Sequence, residues 1–440
     1  MHKDLILFWW IALFIKIIVA TFLPLFNDEA YYWIWSHHLQ LSYYDHPPFI
    51  AWLYYLGQPF ENFYNLVRLP AIILGHCSLW IWLIIAKDII DKKYLTWFLV
   101  LSLFMPFIGP ASLIATPDLP LLFFWPLSLL FILKISKGQA PWYYYSLLGL
   151  SLGLGFCSKY TMVLTAPIFF AAGYMTGIKK FMQNFRNAMN LTLFFILGSL
   201  PVFWWNFMNE FASFRFQVNH GIGAKNWNPE WTLTYLIAQM LIVTPLIIFY
   251  ALKTQQKQTS VKLIKWAAWV PLCFFLFTSF KGRVEANWPI MAHPAVLLLA
   301  FTYKEVSILK LKWLLFFWMS LFASIYIHFF FNYLPIEKLA EYKLYKPIEK
   351  VVDNYHPLYA RTFQMASQMS FQTKKFIYKL KGMNRIDFFD HLEGSQPTQR
   401  VFYVAVTNDD RLPEEWQLIG YKITETIKID KQFEIWKVEK

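Results

Sequence analysis

Long apolar stretches separated by short polar ones fill the first three quarters of the chain, the pattern of a protein whose solvent is lipid. A helix needs roughly 20 apolar residues to cross the hydrocarbon core, where every backbone group must be paired within its own segment. On that rule eleven spanning helices are predicted, at about 5–26, 66–86, 95–112, 118–134, 142–158, 160–178, 190–206, 232–252, 265–280, 287–303 and 312–332. After Pro335 the pattern changes to that of a water-exposed region. Residues 337–381 read as helical, and shorter extended runs follow. Ile423, Glu425, Ile427 and Ile429 recur with period two, and Asp430-Lys431-Gln432 is a turn into a second strand over 433–438. The predicted architecture is an all-α polytopic membrane region over 1–334 with a small C-terminal α/β domain over 335–440.

Composition agrees with this reading. Of the 440 residues, 57% are hydrophobic and 15% charged, against roughly 25% charged in a soluble domain. The 21 Trp and 25 Tyr suit the headgroup zone, where an apolar ring and a polar tip are both satisfied. The net charge of +13 points to nucleic acid only until it is located. Residues 1–334 hold 23 Lys/Arg against 12 Asp/Glu, a difference of +11, and it divides by loop. With the N-terminus inside, the alternate loops 87–94, 134–141, 179–189, 253–265 and 304–312 carry 15 Lys/Arg. The opposite set carries six: Arg68, Lys159, Arg215, Lys225, Lys281 and Arg283. Positive charge is retained on the cytoplasmic side, so the N-terminus is expected inside and the C-terminal domain outside, with no nucleic-acid partner. Lys3 precedes an apolar run reaching Phe26, which reads as an uncleaved first span. Cys77, Cys157 and Cys273 all fall in apolar runs and are expected to be buried free thiols.

The carboxylates run the other way. Eight of the 12 in residues 1–334 lie on the expected outer side: Asp28, Glu29, Asp45, Glu61, Asp118, Glu210, Glu230 and Glu285. An Asp at mid-bilayer depth costs roughly 2.5–3.5 kcal/mol, so a carboxylate pair at the lip of a span needs water or a partner. Asp28 also reads, more simply, as the N-cap of a surface helix. Asp118 has the same simpler reading at the fourth span. Lys159 sits between two apolar runs, where an unpaired ammonium is expensive. It is the leading candidate to hold a departing phosphate, followed by Arg68, Lys281 and Arg283. For each of these cations the competing reading is interfacial snorkelling. Asp45 with His220 pairs a carboxylate and an imidazole, a combination that suits zinc, so a divalent metal ion is a candidate cofactor. A His hydrogen-bonded at a Pro-stiffened turn is the competing reading of His46.

The ordered set is more specific than its pieces. Asn27-Asp28-Glu29, an aromatic helix, Tyr43-Tyr44-Asp45-His46-Pro47-Pro48, Val67-Arg68-Leu69, Thr116-Pro117-Asp118 and Ser158-Lys159-Tyr160-Thr161 occur in that order over residues 1 to about 300. Together they resemble the bacterial branch of the dolichyl-phosphate-mannose protein mannosyltransferase and aminoarabinose lipid A transferase superfamily. The resemblance implies the C-type glycosyltransferase fold, a polyprenyl-phosphate sugar donor and an acceptor that is lipid A, another envelope glycan or a protein hydroxyl. It implies multi-pass insertion in the cytoplasmic membrane, with the site on the outer face. Asp28 corresponds to the family's leading catalytic carboxylate, with Glu29 beside it, and Asp118 to a second acidic position. Tyr43, Tyr44, Asp45 and Tyr160 are expected to bind substrate, and Lys159, Arg68, His46, Lys281 and Arg283 to bind the donor phosphate. His46 departs from the pattern, since the aminoarabinose transferases place a Lys there, and His titrates where Lys is a permanent cation. A lipid-linked sugar transporter or flippase is the alternative, and a non-catalytic assembly factor a third. The predicted spans carry few ionisable groups, Lys16, His76 and His328 among them, whereas transporters place such groups near mid-membrane in broken helices. The sugar itself is not legible from the chain.

Overall fold

The structure is a computed structural model that describes residues 3–440 apart from 64, 139, 224, 225, 332, 335, 336 and 409. Lys225 and Pro335, named above, therefore lie outside the described residues. The chain divides into two compact units, Met1–Phe22 with Leu41–Tyr326, and Leu23–Gln40 with Ile327–Lys440.

The first unit is built of helices, and each of the eleven apolar runs carries one. Six helices are long and apolar enough to cross a bilayer: Lys3–Phe22, Leu66–Ala86, Asp118–Ser136, Phe185–Met208, Thr259–Thr278 and Ile308–Phe329. Pro229–Ile242 and Pro245–Leu252 make a seventh if taken as one span, bent by 85°. The bend follows from Thr244, held at φ 71°, and from Pro245, which has no N–H to continue the helical ladder. Tyr160–Thr176 and Ile290–Ala300 are shorter apolar helices. Lys92–Phe104 and Trp142–Ser158 fill the remaining runs. The chain is thus a multi-pass helical membrane protein with six to seven full-length candidate spans among its described residues.

Burial separates centre from rim. The apolar window of Asp118–Ser136 is 67% buried, that of Ile308–Phe329 only 11%. On the latter, Trp313, Phe316 and Phe317 are exposed, an arrangement water would penalise and lipid tails do not. Trp142–Ser158 approaches Phe185–Met208 through glycines: a Cβ on Gly149 would lie 2.2 Å from the Leu191 carbonyl oxygen, and one on Gly153 2.6 Å from that of Phe195. Small residues at such a crossing let the backbones meet; the first helix ends one residue before Lys159. All three thiols are free, but only Cys157 is buried. Cys77 is half-buried and Cys273 is exposed on the same helix as exposed Phe274 and Phe277, which corrects the expectation of burial for these two.

The second unit contains a five-stranded sheet, β1 (Leu358–Ala360), β2 (Tyr378–Lys379), β3 (Val401–Thr407), β4 (Lys422–Lys428) and β5 (Phe433–Glu439), in the order β2-β1-β3-β5-β4. β1 is parallel to β2 and β3, while β5 runs antiparallel to β3 and β4, with a register shift between Ile423 and Glu425. The expected turn is made by Asp430, whose Oδ1 accepts the N–H groups of Gln432 and Phe433, both at 2.8 Å. The continuous helix expected over 337–381 is instead a set of short helices interrupted by β1, then the helix Phe363–Thr373. Pro347 and Pro357 break the run, because neither supplies the N–H a helix requires.

Candidate functional site

Asp118 opens the most buried of the long helices, at its first turn. Lys159 follows the last residue of Trp142–Ser158 in extended conformation, before the tight turn Tyr160–Leu164. The two meet: Lys159 Nζ donates to Asp118 Oδ1 at 2.6 Å, with 11% and 7% of the side chains exposed. Asn287 Nδ2 donates to the other carboxylate oxygen at 2.7 Å. Asp118 is therefore held on both oxygens, whereas the Lys159 ammonium, with three donors, has this one acceptor among the described residues. Two N–H groups at a nearly closed site await an acceptor.

Around this pair five distant segments are linked. Tyr160 Oη shares a hydrogen bond with Ser213 Oγ at 2.8 Å, which ties the Lys159 turn to the helix Ala212–Ile222. That helix starts after Glu210 and Phe211, both in the left-handed region at φ 53° and 59°, a tight reversal for non-glycine residues. Asn206 steadies the reversal, its Oδ1 accepting the Phe214 N–H at 3.3 Å. From the helix, Gln217 Nε2 donates to the Asp45 carbonyl, and Phe216 lies 4.9 Å from the Tyr44 ring. Tyr43 is fully buried, and its N–H reaches the His46 carbonyl at 3.3 Å. On its far end the helix presents His220, stacked on Phe216 and 5.6 Å from Trp288, the neighbour of Asn287. Tyr43 to Asp45, Asp118, Lys159, Tyr160, His220 and Asn287 thus belong to one connected set.

The other expected cations differ in burial. Arg68 is fully buried, and its Nη1 lies 3.5 Å from the Leu113 carbonyl oxygen, on the segment that leads to Asp118. Lys281 is exposed, and Arg283, also exposed, pairs with Glu285 at 3.4 Å. Asp45 is buried and His220 exposed, and among the described residues no group of three His, Cys, Asp or Glu side chains is assembled for a metal. A structural zinc site takes four protein ligands and a catalytic one three. The first-unit residues that sequence reasoning left without a role are Asn287, Ser213, Gln217 and Asn206. All are uncharged, and the position of Asn287 four residues after Arg283, just before Trp288-Pro289, is the one signal the sequence offers for it.

Asp28 and Glu29 lie in the second unit, on the helix Asn27–His37. Nine of its 11 residues are buried; Asp28 and His37 are exposed. Glu29 is fully buried and its Oε2 accepts the Phe26 N–H at 3.1 Å, closing the first turn. Asp28 therefore presents the one exposed carboxylate of this turn, at the positive end of the helix dipole.

The arrangement defines a class: a polytopic helical membrane protein with a buried acid–lysine pair and a small mixed α/β domain. Its fold is shared by the crystal structure of ArnT from Cupriavidus metallidurans bound to undecaprenyl phosphate, with a TM-score of 0.69 at 11% identity over 99% of this chain and 98% of that one. The apo state of the same protein gives 0.66 at 11% identity, over 98% and 97%. The family described as dolichyl-phosphate-mannose-protein mannosyltransferase matches residues 45–205, which include Asp45, Asp118 and Lys159. The lipid A galacturonosyltransferase RgtD of Rhizobium johnstonii is 25% identical over 301 residues, 66% of this chain and 61% of the relative. The chain thus spans about three fifths of the length of that curated relative. The chain is thus similar over residues 45–205 to the dolichyl-phosphate-mannose-protein mannosyltransferase family and shares its fold with ArnT.

Proposed function

We propose that the protein is an integral membrane glycosyltransferase that moves a sugar from a polyprenyl-phosphate donor to lipid A, another envelope glycan or a protein hydroxyl. The single observation that carries this reading is the Lys159 ammonium, nearly buried, held by Asp118 and left with two donors for a phosphate oxygen. A phosphate ester leaving C1 gains negative charge, and a cation fixed beside it stabilises that charge where it develops. The acceptor oxygen forms its bond to C1 from the face opposite the breaking C1–O bond, so configuration inverts. Asp28 takes the proton when the acceptor is a neutral hydroxyl, and orients the acceptor when it is already an anionic phosphate oxygen. Glu29, committed to the Phe26 N–H, holds the helix instead. Tyr43, Tyr44, Asp45 and Tyr160 line the sugar side and Arg68 braces the Asp118 segment, while His46, Lys281 and Arg283 face the incoming anionic groups. A divalent ion at Asp45 and His220 would complete its shell with water and donor phosphate oxygens; chelation that lowers transfer, restored by added metal, is the sign of it. In this reading eleven segments cross or enter the cytoplasmic membrane, the N-terminus is inside, and the site and the 335–440 domain face outward.

The relatives support the class of donor and acceptor: ArnT was solved with undecaprenyl phosphate, and the rhizobial relative is named for lipid A. The test is Asp28→Asn, assayed for sugar transfer in membranes. Loss of the base is expected to lower turnover by roughly 10²–10⁴ with donor binding retained. Unchanged transfer would remove Asp28 from the chemistry. Mass spectrometry of lipid A, glycolipids and glycoproteins from a deletion strain identifies sugar and acceptor by the missing mass.

A further inference from the structure

We propose that the C-terminal domain is the clamp that sets the position of Asp28, acting through Tyr31 and Gln368 as positioning residues. The inference rests on the reading of Asp28 as the acting carboxylate. The helix Asn27–His37 is too short to hold itself in water, since isolated helices below roughly 12–15 residues are marginal. Its fixed partners lie some 340 to 360 residues later in the chain. Tyr31 Oη accepts the Phe388 N–H at 2.9 Å, and the Tyr31 ring packs 4.4 Å from Phe363. Gln368 Nε2 lies 3.3 Å from the Leu25 carbonyl oxygen, gripping the strand of chain that enters the helix. Trp33 meets Phe371 at 5.3 Å from the same domain helix. Tyr31 follows Asp28 by three positions, so the contact fixes the turn that carries the carboxylate.

The Phe388 end of this clamp is closely tied by hydrogen bonds. Its turn is built on Lys379, fully buried, which donates to the Arg385 carbonyl at 2.8 Å, to Asp387 Oδ2 at 2.7 Å and to Asp390. Asp390 Oδ2 also accepts the Asp387 N–H at 2.9 Å, and Asp387 Oδ1 the Phe389 N–H at 2.9 Å. Every donor of the ammonium is used, so this cluster has nothing left for a ligand and acts as an anchor. A buried ionic network holds one geometry well, because any departure leaves a charge unpaired. This fully closed ionic cluster includes Asp387, the neighbour of the Phe388 whose N–H Tyr31 accepts.

Tyr31→Phe removes the acceptor and keeps the ring. Displacing a reacting group by about 1 Å costs up to roughly 10²-fold, so kcat is expected to fall about tenfold with donor KM unchanged. In an Asp28→Asn background the same substitution should alter the residual turnover less than about twofold, since the group it positions is gone. A tenfold loss in both backgrounds, or none in the Asp28 protein, overturns the clamp. If Asp28→Asn itself keeps full transfer, the functional reading fails instead, and the two failures are told apart. Should Tyr31→Phe not accumulate, Gln368→Met, which keeps volume and removes the grip on Leu25, is read by the same cycle with the same outcomes.

Discussion

Two buried lysine–aspartate clusters, one in each unit, differ in what they leave unmade. Lys379 sits among two carboxylates and a carbonyl, its side chain fully buried and all three donors spent. Among the described residues, Lys159 meets one carboxylate, whose second oxygen is taken by Asn287, and keeps two donors. A buried ion pair is weak evidence for stability, since desolvation offsets much of the attraction. What distinguishes a structural cluster from a binding one is therefore the count of unspent donors and acceptors. By that count the first unit holds the candidate site and the second holds an anchor.

The comparison breaks most visibly at the anchor. Lys379→Met leaves Asp387 and Asp390 buried together without a cation, and is expected to destabilise the second unit by roughly 3–5 kcal/mol. Thermal unfolding of the purified protein in detergent checks it, and a shift no larger than that of a surface lysine would contradict the anchor reading. Asn287→Ala frees one oxygen of Asp118 without touching the charge pair. It is expected to cost about 1 kcal/mol, read as a several-fold drop in transfer with the protein still folded. The smallest effect lies in the second unit at Glu349, where burial raises the carboxyl to about 7, and whose Oε1 is buried with no hydrogen-bond partner among the described residues. Because the folded protein holds this proton more tightly than the unfolded chain does, stability is greatest below the ordinary carboxylate range and falls as pH rises toward 7. Glu349→Gln should flatten that slope in melting curves, and an unaltered slope would place the pH dependence elsewhere.

The order of elements was legible because lipid imposes a blunt requirement, a long apolar run, that no distant residue can override. Each run therefore holds a helix, and even the hairpin at Asp430 follows from local turn chemistry. Lengths were less legible. The run 232–252 hides an 85° bend that Pro245 signals only once Thr244 is known to be left-handed. The run 337–381 mixes short helices with a strand, since β1 pairs with residues far along the chain and tertiary pairing outweighs local propensity. Site residues followed the same divide. Asp118 and Lys159 stood out because charge in an apolar setting must be accounted for, although their 41-residue separation gave no hint that they pair. Asn287 and Tyr31 are uncharged, and their importance lies wholly in partners that the fold brings near.

The central claim is that Lys159 completes its hydrogen bonding with the donor's phosphate. Its most direct measurement is the affinity of the purified protein in nanodiscs for a polyprenyl phosphate, compared between wild type and Lys159→Gln. Loss of a charge-assisted contact worth about 1.5–3 kcal/mol predicts binding weakened by roughly 10- to 150-fold. Equal affinity for the two proteins would contradict the account.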